Sequence, residues 1–377
     1  MNEVIQPKGH AMIKLYIGID SHKASNSVAF AFSGPKEPEY IGKFSADIGR
    51  FTQSLYKIMK KHTLSKDEIK LCYEAGPTGF VLARRLIGLG FDCIVAAPSL
   101  IPVQKGNKLK TDKRDARKLA KLLRGNDLTA VYIPDVADEV IRDVCRGRTD
   151  AVNERQRCQK QLGAFLLRNG YHYTGASRWT HKHMTYLRDL VLSDPAQKLV
   201  REEYLQRIDF MTQQIDRMED QMNALCQSWQ RRPLVEALMG FRGFRELSSM
   251  IIISEIGDFT RFEHPKKLMA YLGLVPGEES SGTTRRQGPI TKCGNSHARW
   301  ILVECAGSYN MPAKVGRELS DRQEGLSQEV KALSWKVQNR LCNRWYRLSM
   351  RGVLFNKIRV AVARELSSYI WDLSKLI

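Results

Sequence analysis

Short apolar runs that each end in a single carboxylate constrain this chain more than any other feature of its sequence. Residues 15–20 read LYIGID, and residues 70–74 read KLCYE before the residues AGP break the run. Runs of this length are typical of buried strands, and an acid at the end lies where the strand leaves the sheet. We therefore expect Asp20 and Glu74 at one edge of a common sheet.

Two further carboxylates follow at the start of a predicted helix, where residues 111–116 read TDKRDA. Asp112 and Asp115 are three residues apart, so they share a helix face and can point at one place. Four carboxylates that converge from two strand ends and one helix start repel one another, and a divalent cation relieves that repulsion. The sequence therefore predicts a Mg²⁺ site made by Asp20, Glu74, Asp112 and Asp115.

The order of predicted elements between residues 14 and 135 is three strands, helix, strand, helix, strand, helix. The remaining strands are expected at 27–32, 40–44 and 91–96, and the helices at 48–62, 81–89 and 112–123. This α/β order is that of a ribonuclease-H-like fold, in which acidic residues gather at one edge of the sheet.

The charge of the chain indicates a polyanionic partner. The 377 residues carry a formal net charge of +20, and the sequence pI is about 9.6. No apolar run approaches the ~20 residues that span a bilayer, and residues 1–10 contain no apolar core of a signal peptide. The eight cysteines are scattered without a CxxC pair, which argues against a zinc site or a disulfide framework. We expect a cytoplasmic nucleic-acid-binding protein with no membrane partner.

Cations surround the proposed metal ligands. Between residues 104 and 124 there are nine Lys or Arg, and the two acids of that stretch are Asp112 and Asp115. Sites that handle phosphate need such a setting, although a solvated helix face is the simpler alternative. Candidate nucleic-acid contacts along the whole chain are Lys110, Lys113, Arg114, Arg142, Arg146, Arg155, Arg285, Arg286 and Lys292.

Residues 136–232 are predicted to be helical. The apolar positions Tyr204, Ile208, Met211, Ile215, Met218, Met222 and Leu225 are spaced alternately by four and three residues, as in a coiled coil. This seam either packs on the helix over residues 140–167 of the same chain or joins another subunit. We favour an antiparallel hairpin within the chain that also supports oligomerisation.

Residues 233–377 form a third predicted region, which is mainly helical. Residues 238–258 suggest two apolar helices around a glycine turn, either a helix-hairpin-helix element that grips a nucleic-acid backbone or a plain packing unit. A polar segment, GEESSGTTRRQG at 277–288, is expected to be a loop. From residue 281 to residue 360 there are fifteen Lys or Arg against five acids.

Taken together, these motifs resemble the DEDD transposases of insertion-sequence family 110 and its 1111 relatives, with the Piv-type DNA invertases as cousins. The matching segments run from about residue 14 to residue 307. They are IGID at 17–20, YEA at 73–75, TDKRDAR at 111–117, GD and RF at 257–262, GLVP at 273–276, SG at 281–282, and TKCGN at 291–295.

The resemblance implies a RuvC-like domain (14–135), a helical coiled coil (136–232) and a C-terminal transposase domain (233–377) with a serine nucleophile. Ser281 matches the Ser-Gly pair of the family, and the adjacent Ser280 is its rival. The resemblance also implies a prokaryotic protein that acts at the nucleoid, and a non-coding bridge RNA that pairs with donor and target double-stranded DNA. Recombination of two duplexes favours a homodimer that assembles into a tetramer.

One position departs from the family pattern. Relatives have a Gly-x-Gly hairpin where this chain has Gly243-Phe244-Arg245. Because arginine adopts positive φ at a higher energetic cost than glycine, we expect the hairpin to be reshaped and its backbone grip on nucleic acid to be altered.

Three functions compete on sequence alone. The first is an RNA-guided recombinase that uses Mg²⁺ and a covalent serine intermediate. The second is a RuvC-like junction nuclease that hydrolyses DNA with the four carboxylates alone and has no need of Ser281. The third is an actin-like sugar kinase, because residues 17–23 resemble the first phosphate loop of that fold. A kinase needs later glycine-rich nucleotide loops, which the sequence lacks, so the recombinase accounts for more of the chain.

Overall fold

The computed structural model describes residues 12–102, 111–281 and 284–377, and for residues 279–281, 284 and 285 it describes the backbone alone. The chain divides into two compact units, Met1–Ile133 and Pro134–Ile377. The division into three domains stays a prediction. In the described part of the chain, no helix combines the length and hydropathy that crossing a bilayer requires.

The N-terminal unit is built on one five-stranded sheet with the order β3-β2-β1-β4-β5. The central strand β1 runs antiparallel to β2 and parallel to β4. The predicted alternation of strands and helices is confirmed, with bounds that differ by one or two residues. The strands are β1 (Leu15–Ser21), β2 (Ser25–Phe32), β3 (Glu39–Ser45), β4 (Ile69–Glu74) and β5 (Asp92–Ala96).

Three helices accompany the sheet, and side-chain caps determine where two of them begin. Asp47 accepts a hydrogen bond from the Arg50 backbone N–H at the start of the first helix, and Thr111 accepts one from Arg114 at the start of the third. Leu15, Ile17 and Ile19 alternate with the other residues of β1 and are fully buried in the main core of the unit. The helices are α1 (Ile48–His62), α2 (Val81–Gly88) and α3 (Asp112–Arg124).

The opposite face of β1 carries α3 at very short range. A Cβ atom added to Gly18 would lie 2.3 Å from both the Ala116 carbonyl oxygen and the Ala120 backbone nitrogen. Ala116 and Ala120 are fully buried against this surface. Glycine on the strand and alanines on the helix therefore allow the two backbones to touch, and this contact fixes the position of the first turn of α3.

The C-terminal unit is predominantly helical. Its long helices come first, a two-stranded sheet interrupts the middle of the unit, and two long helices close it. The elements are α4 (Val136–Arg168), α5 (His181–Asp189), α6 (Pro195–Ser228), α7 (Arg232–Met239), α8 (Glu246–Ile256), α9 (Pro265–Tyr271), β6 (Pro276–Ser281), β7 (Thr284–Ile290), α10 (Ser296–Ala306), α11 (Arg317–Arg322), α12 (Gln328–Met350) and α13 (Phe355–Leu373).

Helices α4 and α6 form an antiparallel hairpin within the chain. Arg148 of α4 pairs with Glu219 of α6, and Glu154 of α4 pairs with Arg207 of α6. A later residue of α4 therefore meets an earlier residue of α6, as in an antiparallel pair. The residues of the predicted seam lie on the packed face of α6, and Ile208, Ile215 and Met222 are buried while the other four are half-buried. The hairpin is the first of the two alternatives that the seam allowed; supercoiling and a role in oligomerisation stay predictions.

The root of this hairpin shares its core with the rest of the unit. Cys145 of α4 and Cys226 of α6 are buried in the same cluster as Leu238, Ile252 and Val362 from three later helices. The orientation of the hairpin at its root is therefore determined by the packing of α7, α8 and α13.

The expectation of a loop at residues 277–288 was wrong. Residues 276–281 and 284–290 pair as antiparallel strands, with Glu279 opposite Arg286 and Ser281 opposite Thr284. Residues 277–288 contain no large apolar side chain, so the period-two hydrophobic signal of a strand is missing from the sequence of this hairpin.

The reshaping expected at Arg245 does not involve positive φ. Arg245 adopts an extended conformation, with φ −130° and ψ 175°, and its N–H donates to Ser248 Oγ at the start of α8. Positive φ falls on Gly243 (+89°) instead, where a Cβ atom would lie 2.5 Å from the Cys305 carbonyl oxygen. The turn thus keeps the one glycine that its geometry requires, and arginine fits the other position.

The contact between β1 and α3 generates a stability prediction. Gly18→Ala should lower the free energy of unfolding by about 3 kcal/mol, the upper end of the usual cost of overpacking, because backbone atoms on two turns of α3 block the new methyl group. Denaturant unfolding followed by circular dichroism measures the change.

The matched control is Gly88→Ala near the end of α2, where a Cβ atom meets nothing within 4 Å and φ is not positive. This substitution should leave stability unchanged or slightly raised. Equal stability of the two variants would show that α3 does not pack on Gly18 as described.

Candidate active site

Acidic side chains gather where β1 leaves the sheet and α3 begins. Asp20 lies near the end of β1, and Asp112 is the first residue of α3. His22 Nε2 lies 3.1 Å from Asp20 Oδ2 and 3.7 Å from Asp112 Oδ1. One ligand atom from each of these three residues lies within 4.8 Å of the other two, so a single cation could contact all three.

The pKa values within this cluster shift in opposite directions. Burial raises the pKa of Asp20, and the charges of Asp115 and Asp112 raise it further, while His22 opposes the shift. The Lys43 ammonium, 2.9 Å from Asp112 Oδ2, lowers the pKa of Asp112 through its hydrogen bond and charge. The negative charge at Asp20 is therefore poorly compensated by the protein, whereas that of Asp112 is held by a lysine of β3.

The donor set fits a divalent cation. Carboxylate oxygens are the ligands that hard divalent metals prefer, and imidazole nitrogen serves several transition metals. The geometry supports the fit, because one ligand atom from each of Asp20, His22 and Asp112 lies within 4.8 Å of the other two.

The other two predicted ligands border this cluster without belonging to the group of three. Tyr73 pairs with Ile19 in the parallel register of β1 and β4, so the next residues, Glu74 and Asp20, extend to the same face of the sheet. Asp115 lies one helical turn after Asp112 and is close enough to raise the pKa of Asp20. The set of four carboxylates stays a prediction.

Sequence reasoning missed His22. A residue two positions after Asp20 on an extended strand lies on the same face as Asp20, so the spacing Asp-x-His could have indicated it. The side chain of His22 is about half exposed, at 51%, and its Nε2 atom lies beside the carboxylates of both Asp20 and Asp112.

The predicted nucleophile lies in the C-terminal unit. Ser281 is the last residue of β6, and Ser280 precedes it on the strand. The side chains of both serines and of Arg285 lie outside the described part of the structure. The base of the hairpin is anchored, because the Thr291 N–H donates to the Val275 carbonyl oxygen and the Lys292 N–H to that of Gly273.

A fully buried carboxylate organises the segment that follows this hairpin. Glu255, on α8, accepts two hydrogen bonds from Arg146 at 2.7 and 2.8 Å, one from Asn295 at 2.7 Å and one from His297 Nδ1 at 3.0 Å. Asn295 also caps α10, since its side-chain oxygen accepts from the Ala298 N–H. We call these four residues, Arg146, Glu255, Asn295 and His297, the Glu255 cluster.

The charge of Glu255 is fully satisfied within the protein. Burial alone would raise its pKa, but the hydrogen bonds from His297, Arg146 and Asn295 outweigh that effect and lower the pKa to about 2. Glu255 was not identified from the sequence; the signal that could have revealed it is a lone carboxylate inside the apolar run MIIISEI.

The predicted nucleic-acid contacts fall into two groups. Arg142, Arg146 and Arg155 face partners within the hairpin or at its root: Arg142 lies 4.0 Å from Glu139, Arg146 joins the Glu255 cluster, and Arg155 donates to Thr212. The second group, Lys113, Arg114, Arg286 and Lys292, is exposed, and so is the side chain of Arg146, at 50%, although it is ion-paired. Lys110 lies outside the described residues.

The Glu255 cluster predicts a specific pH dependence. A carboxylate whose folded pKa lies near 2, below its usual 4.5, contributes stability above pH 4.5 and loses it as the pH falls through the folded value. This lowering of the pKa of Glu255 corresponds to a stabilisation of the folded state by about 3 kcal/mol. Glu255→Gln should therefore lower the free energy of unfolding by about this amount at neutral pH, and the difference from wild type should shrink between pH 4.5 and pH 2.

Denaturant titrations across this pH range provide the measurement. Glu263→Gln removes an exposed carboxylate of the same unit and should leave the pH profile unchanged. A Glu255→Gln profile that runs parallel to wild type would contradict the assigned hydrogen bonds.

Comparison with known proteins finds transposases along nearly the whole chain. A family model described as "Transposase IS116/IS110/IS902 family" matches residues 235–319, and the transposase model DEDD_Tnp_IS110 matches residues 17–170. The chain is 38% identical to the "Putative transposase y4qE" of Sinorhizobium fredii over 96% of its own length and 88% of that protein. It is 31% identical to the "Transposase for insertion sequence element IS1533" of Leptospira borgpetersenii, over 87% and 94% of the two chains.

A more distant match is the "Transposase for insertion sequence element IS1111A" of Coxiella burnetii, which is 24% identical over 77% of this chain and 73% of that protein. The DEDD model covers the carboxylate cluster and extends through α4, and the other model covers the segment that contains Ser281 and Glu255. With its acidic edge, its basic charge and relatives that cover nearly its full length, the chain belongs to the IS110 family of insertion-sequence transposases, DNA-recombining enzymes whose DEDD domain implies dependence on a divalent metal.

Proposed function

We propose that this transposase is an RNA-guided DNA recombinase that cuts and rejoins donor and target DNA through a covalent phosphoserine intermediate. The observation that carries the metal-dependent half of this proposal is the convergence of Asp20, His22 and Asp112 at the edge of the sheet. The five-stranded sheet order supports a RuvC-like, ribonuclease-H-like identity for the N-terminal unit.

The carboxylates hold and orient the metal in this proposal. Asp20 and Asp112 would hold the metal together with Glu74 from the neighbouring strand and Asp115 from the next helical turn. A bound Mg²⁺ would supply positive charge to the phosphate that undergoes exchange. Lys43 neutralises part of the charge on Asp112, which makes the cluster less repulsive and sets its net charge.

Ser281 is the proposed nucleophile. Its hydroxyl oxygen bonds to the phosphorus, the bond from phosphorus to one flanking sugar oxygen breaks, and the sugar leaves as a hydroxyl after it gains a proton, while the serine proton passes to solvent. The number of phosphoester bonds is unchanged, so religation to a new strand needs no external energy source. Ser280, which precedes it on the strand, is the alternative nucleophile.

A bridge RNA would determine, by base pairing, which donor and target DNA sequences are recombined. The net charge of +20 and the exposed cations Lys113, Arg114, Arg286 and Lys292 support nucleic-acid binding. Family resemblance supports the specific partners, which are a non-coding RNA together with donor and target duplexes, and an assembly of dimers into a tetramer.

A RuvC-like junction nuclease is the second candidate, because the sheet order and the carboxylate cluster would serve hydrolysis equally well. Water would then replace Ser281 as the nucleophile. The two mechanisms differ in whether a protein–DNA bond ever forms.

The metal ligands give one prediction. Asp20→Asn, Glu74→Gln, Asp112→Asn and Asp115→Asn should each reduce strand cleavage by roughly a hundredfold or more, because each removes charge on which the cation depends. Cleavage of labelled DNA with and without excess chelator gives the measurement. Asp92→Asn, which removes an exposed carboxylate paired with Lys70, is the matched control and should remain active. Full activity in two of the four variants would reject the site.

The nucleophile gives a further prediction. Wild-type protein incubated with its RNA, divalent metal and labelled DNA should yield a protease-sensitive protein–DNA adduct on a denaturing gel, whereas Ser281→Ala should yield neither adduct nor strand exchange. An adduct that survives in Ser281→Ala and disappears in Ser280→Ala would move the nucleophile by one residue. Cleavage that persists in Ser281→Ala without any adduct would favour the nuclease.

The same assay tests whether two subunits share a site. If the carboxylates of one subunit act with Ser281 of another, a mixture of Asp20→Asn and Ser281→Ala proteins should recover part of the cleavage that each lacks alone. The control is each variant at the total protein concentration of the mixture. A mixture as inactive as its components would restrict the proposed mechanism to a site within one subunit.

A further inference from the structure

An open cavity of about 550 Å³ lies at the tip of the α4–α6 hairpin, between the end of α4, the connecting segment 169–180 and α5. Its volume falls in the range of ordinary small-molecule sites. We call it the tip pocket. It belongs neither to the carboxylate cluster nor to the segment that contains Ser281, and the proposed function assigns it no role.

Aromatic rings form the walls of the tip pocket. The His183 ring centroid lies 4.5 Å from that of Tyr173 and 5.0 Å from that of Trp179, and it is stacked on Tyr186 at 6.3 Å with an interplanar angle of 14°. The three larger rings are half-buried, and only His183 is buried. Four rings that stand around an open cavity leave faces on which another planar group can stack.

Trp179 has a strained backbone conformation that a hydrogen bond holds in place. Trp179 has φ +62°, a conformation that is costly for a bulky residue, and its N–H donates to His183 Nδ1 at 2.9 Å. Because Nδ1 accepts this bond, Nε2 carries the proton in the neutral ring. Burial and the charge of Arg178 lower the pKa of His183, which favours that neutral form. The ring is thus an uncharged, fixed donor.

The rim of the tip pocket is basic and contains no acid. Lys160 of α4 and Arg178 are exposed there, and neither forms an ion pair with another described residue. Gln156 and Gln159 add amide groups from the adjacent face of α4, which can donate and accept hydrogen bonds. A planar, polar-edged group with an anion beside it complements this combination.

We propose that the tip pocket binds an unpaired nucleobase of a single-stranded nucleic acid, with the base stacked among Tyr173, Trp179 and Tyr186 and its flanking phosphate on Lys160 and Arg178. Aromatic platforms combined with cations are the general means by which proteins hold unpaired bases. A base inside a duplex cannot enter, since both of its faces are already stacked. The inference rests on the proposed function only in taking nucleic acid as the partner.

The experiment measures binding of short single-stranded RNA and DNA oligonucleotides, each with one 2-aminopurine, and of a matched duplex. All titrations use the full chain in excess chelator at one salt concentration, so that metal-dependent cleavage takes no part and the mechanism at Ser281 does not affect the result. Wild type should bind the single strand and change the 2-aminopurine fluorescence.

Tyr173→Ala and Tyr186→Ala should each weaken single-strand binding roughly tenfold and reduce the fluorescence change, with duplex affinity unaltered. Tyr186→Phe keeps the ring and should behave as wild type. Tyr346→Ala, which removes an aromatic ring that is 65% exposed on α12, is the control for loss of a surface tyrosine and should not affect the fluorescence change.

Two exposed rim residues keep the test decisive if an alanine variant fails to fold. Lys160→Ala and Arg178→Ala should each reduce the salt dependence of single-strand binding by about 0.7 in log–log slope. The proposal would be overturned if the salt dependence were unchanged in both rim variants, or if folded Tyr173→Ala and Tyr186→Ala bound the single strand normally. It would also be overturned if the variants lost equal affinity for the single strand and for the duplex. Preference for RNA over DNA would assign the base to an RNA, and equal binding would assign the pocket to any single strand.

Discussion

The contact between Gly18 and the backbone of α3 determines the geometry on which the carboxylate cluster depends. Ala116 and Ala120 touch the strand at Gly18, and Asp112 lies on the same helix one turn before Ala116. Any side chain at position 18 would move this helix off the sheet and carry Asp112 away from Asp20. The small residues Gly18, Ala116 and Ala120 therefore do more than pack closely, because their contact also sets the distance between Asp20 and Asp112.

Two acidic centres in this protein show opposite electrostatic designs. The pKa of Asp20 is raised because burial and neighbouring carboxylates exceed what His22 compensates, so that centre gains from an external cation. The pKa of Glu255 is lowered to about 2 despite complete burial, because Arg146, Asn295 and His297 supply every hydrogen bond its oxygens need. An undercompensated carboxylate is suited to binding a metal, whereas a saturated one is suited to fixing structure.

Most of the N-terminal unit could be predicted from the sequence because its signals are local. Apolar runs marked β1 and β4, and capping residues such as Thr111 marked the start of α3. The β6–β7 hairpin could not be predicted, since residues 277–288 contain no large apolar side chain and therefore show no alternation. Glu255 was missed for another reason: its role depends on contacts with Arg146, Asn295 and His297, which lie far from it in sequence and which periodicity does not encode.

The long hairpin gives the C-terminal unit a rigid connection between its two ends. Helix α4 has 33 residues and spans roughly 50 Å, from the shared core at its root to the tip pocket. Near the root, Arg146 binds Glu255, and Glu255 binds Asn295, five residues after the end of the strand opposite Ser281. A side chain that anchors the hairpin thus also anchors the segment that leaves the serine-bearing sheet. The contact between Arg146 and Glu255 is a bidentate ion pair whose carboxylate is fully buried while the Arg146 side chain is half exposed, so it strengthens the attachment of α4 to α8 near the root of the hairpin.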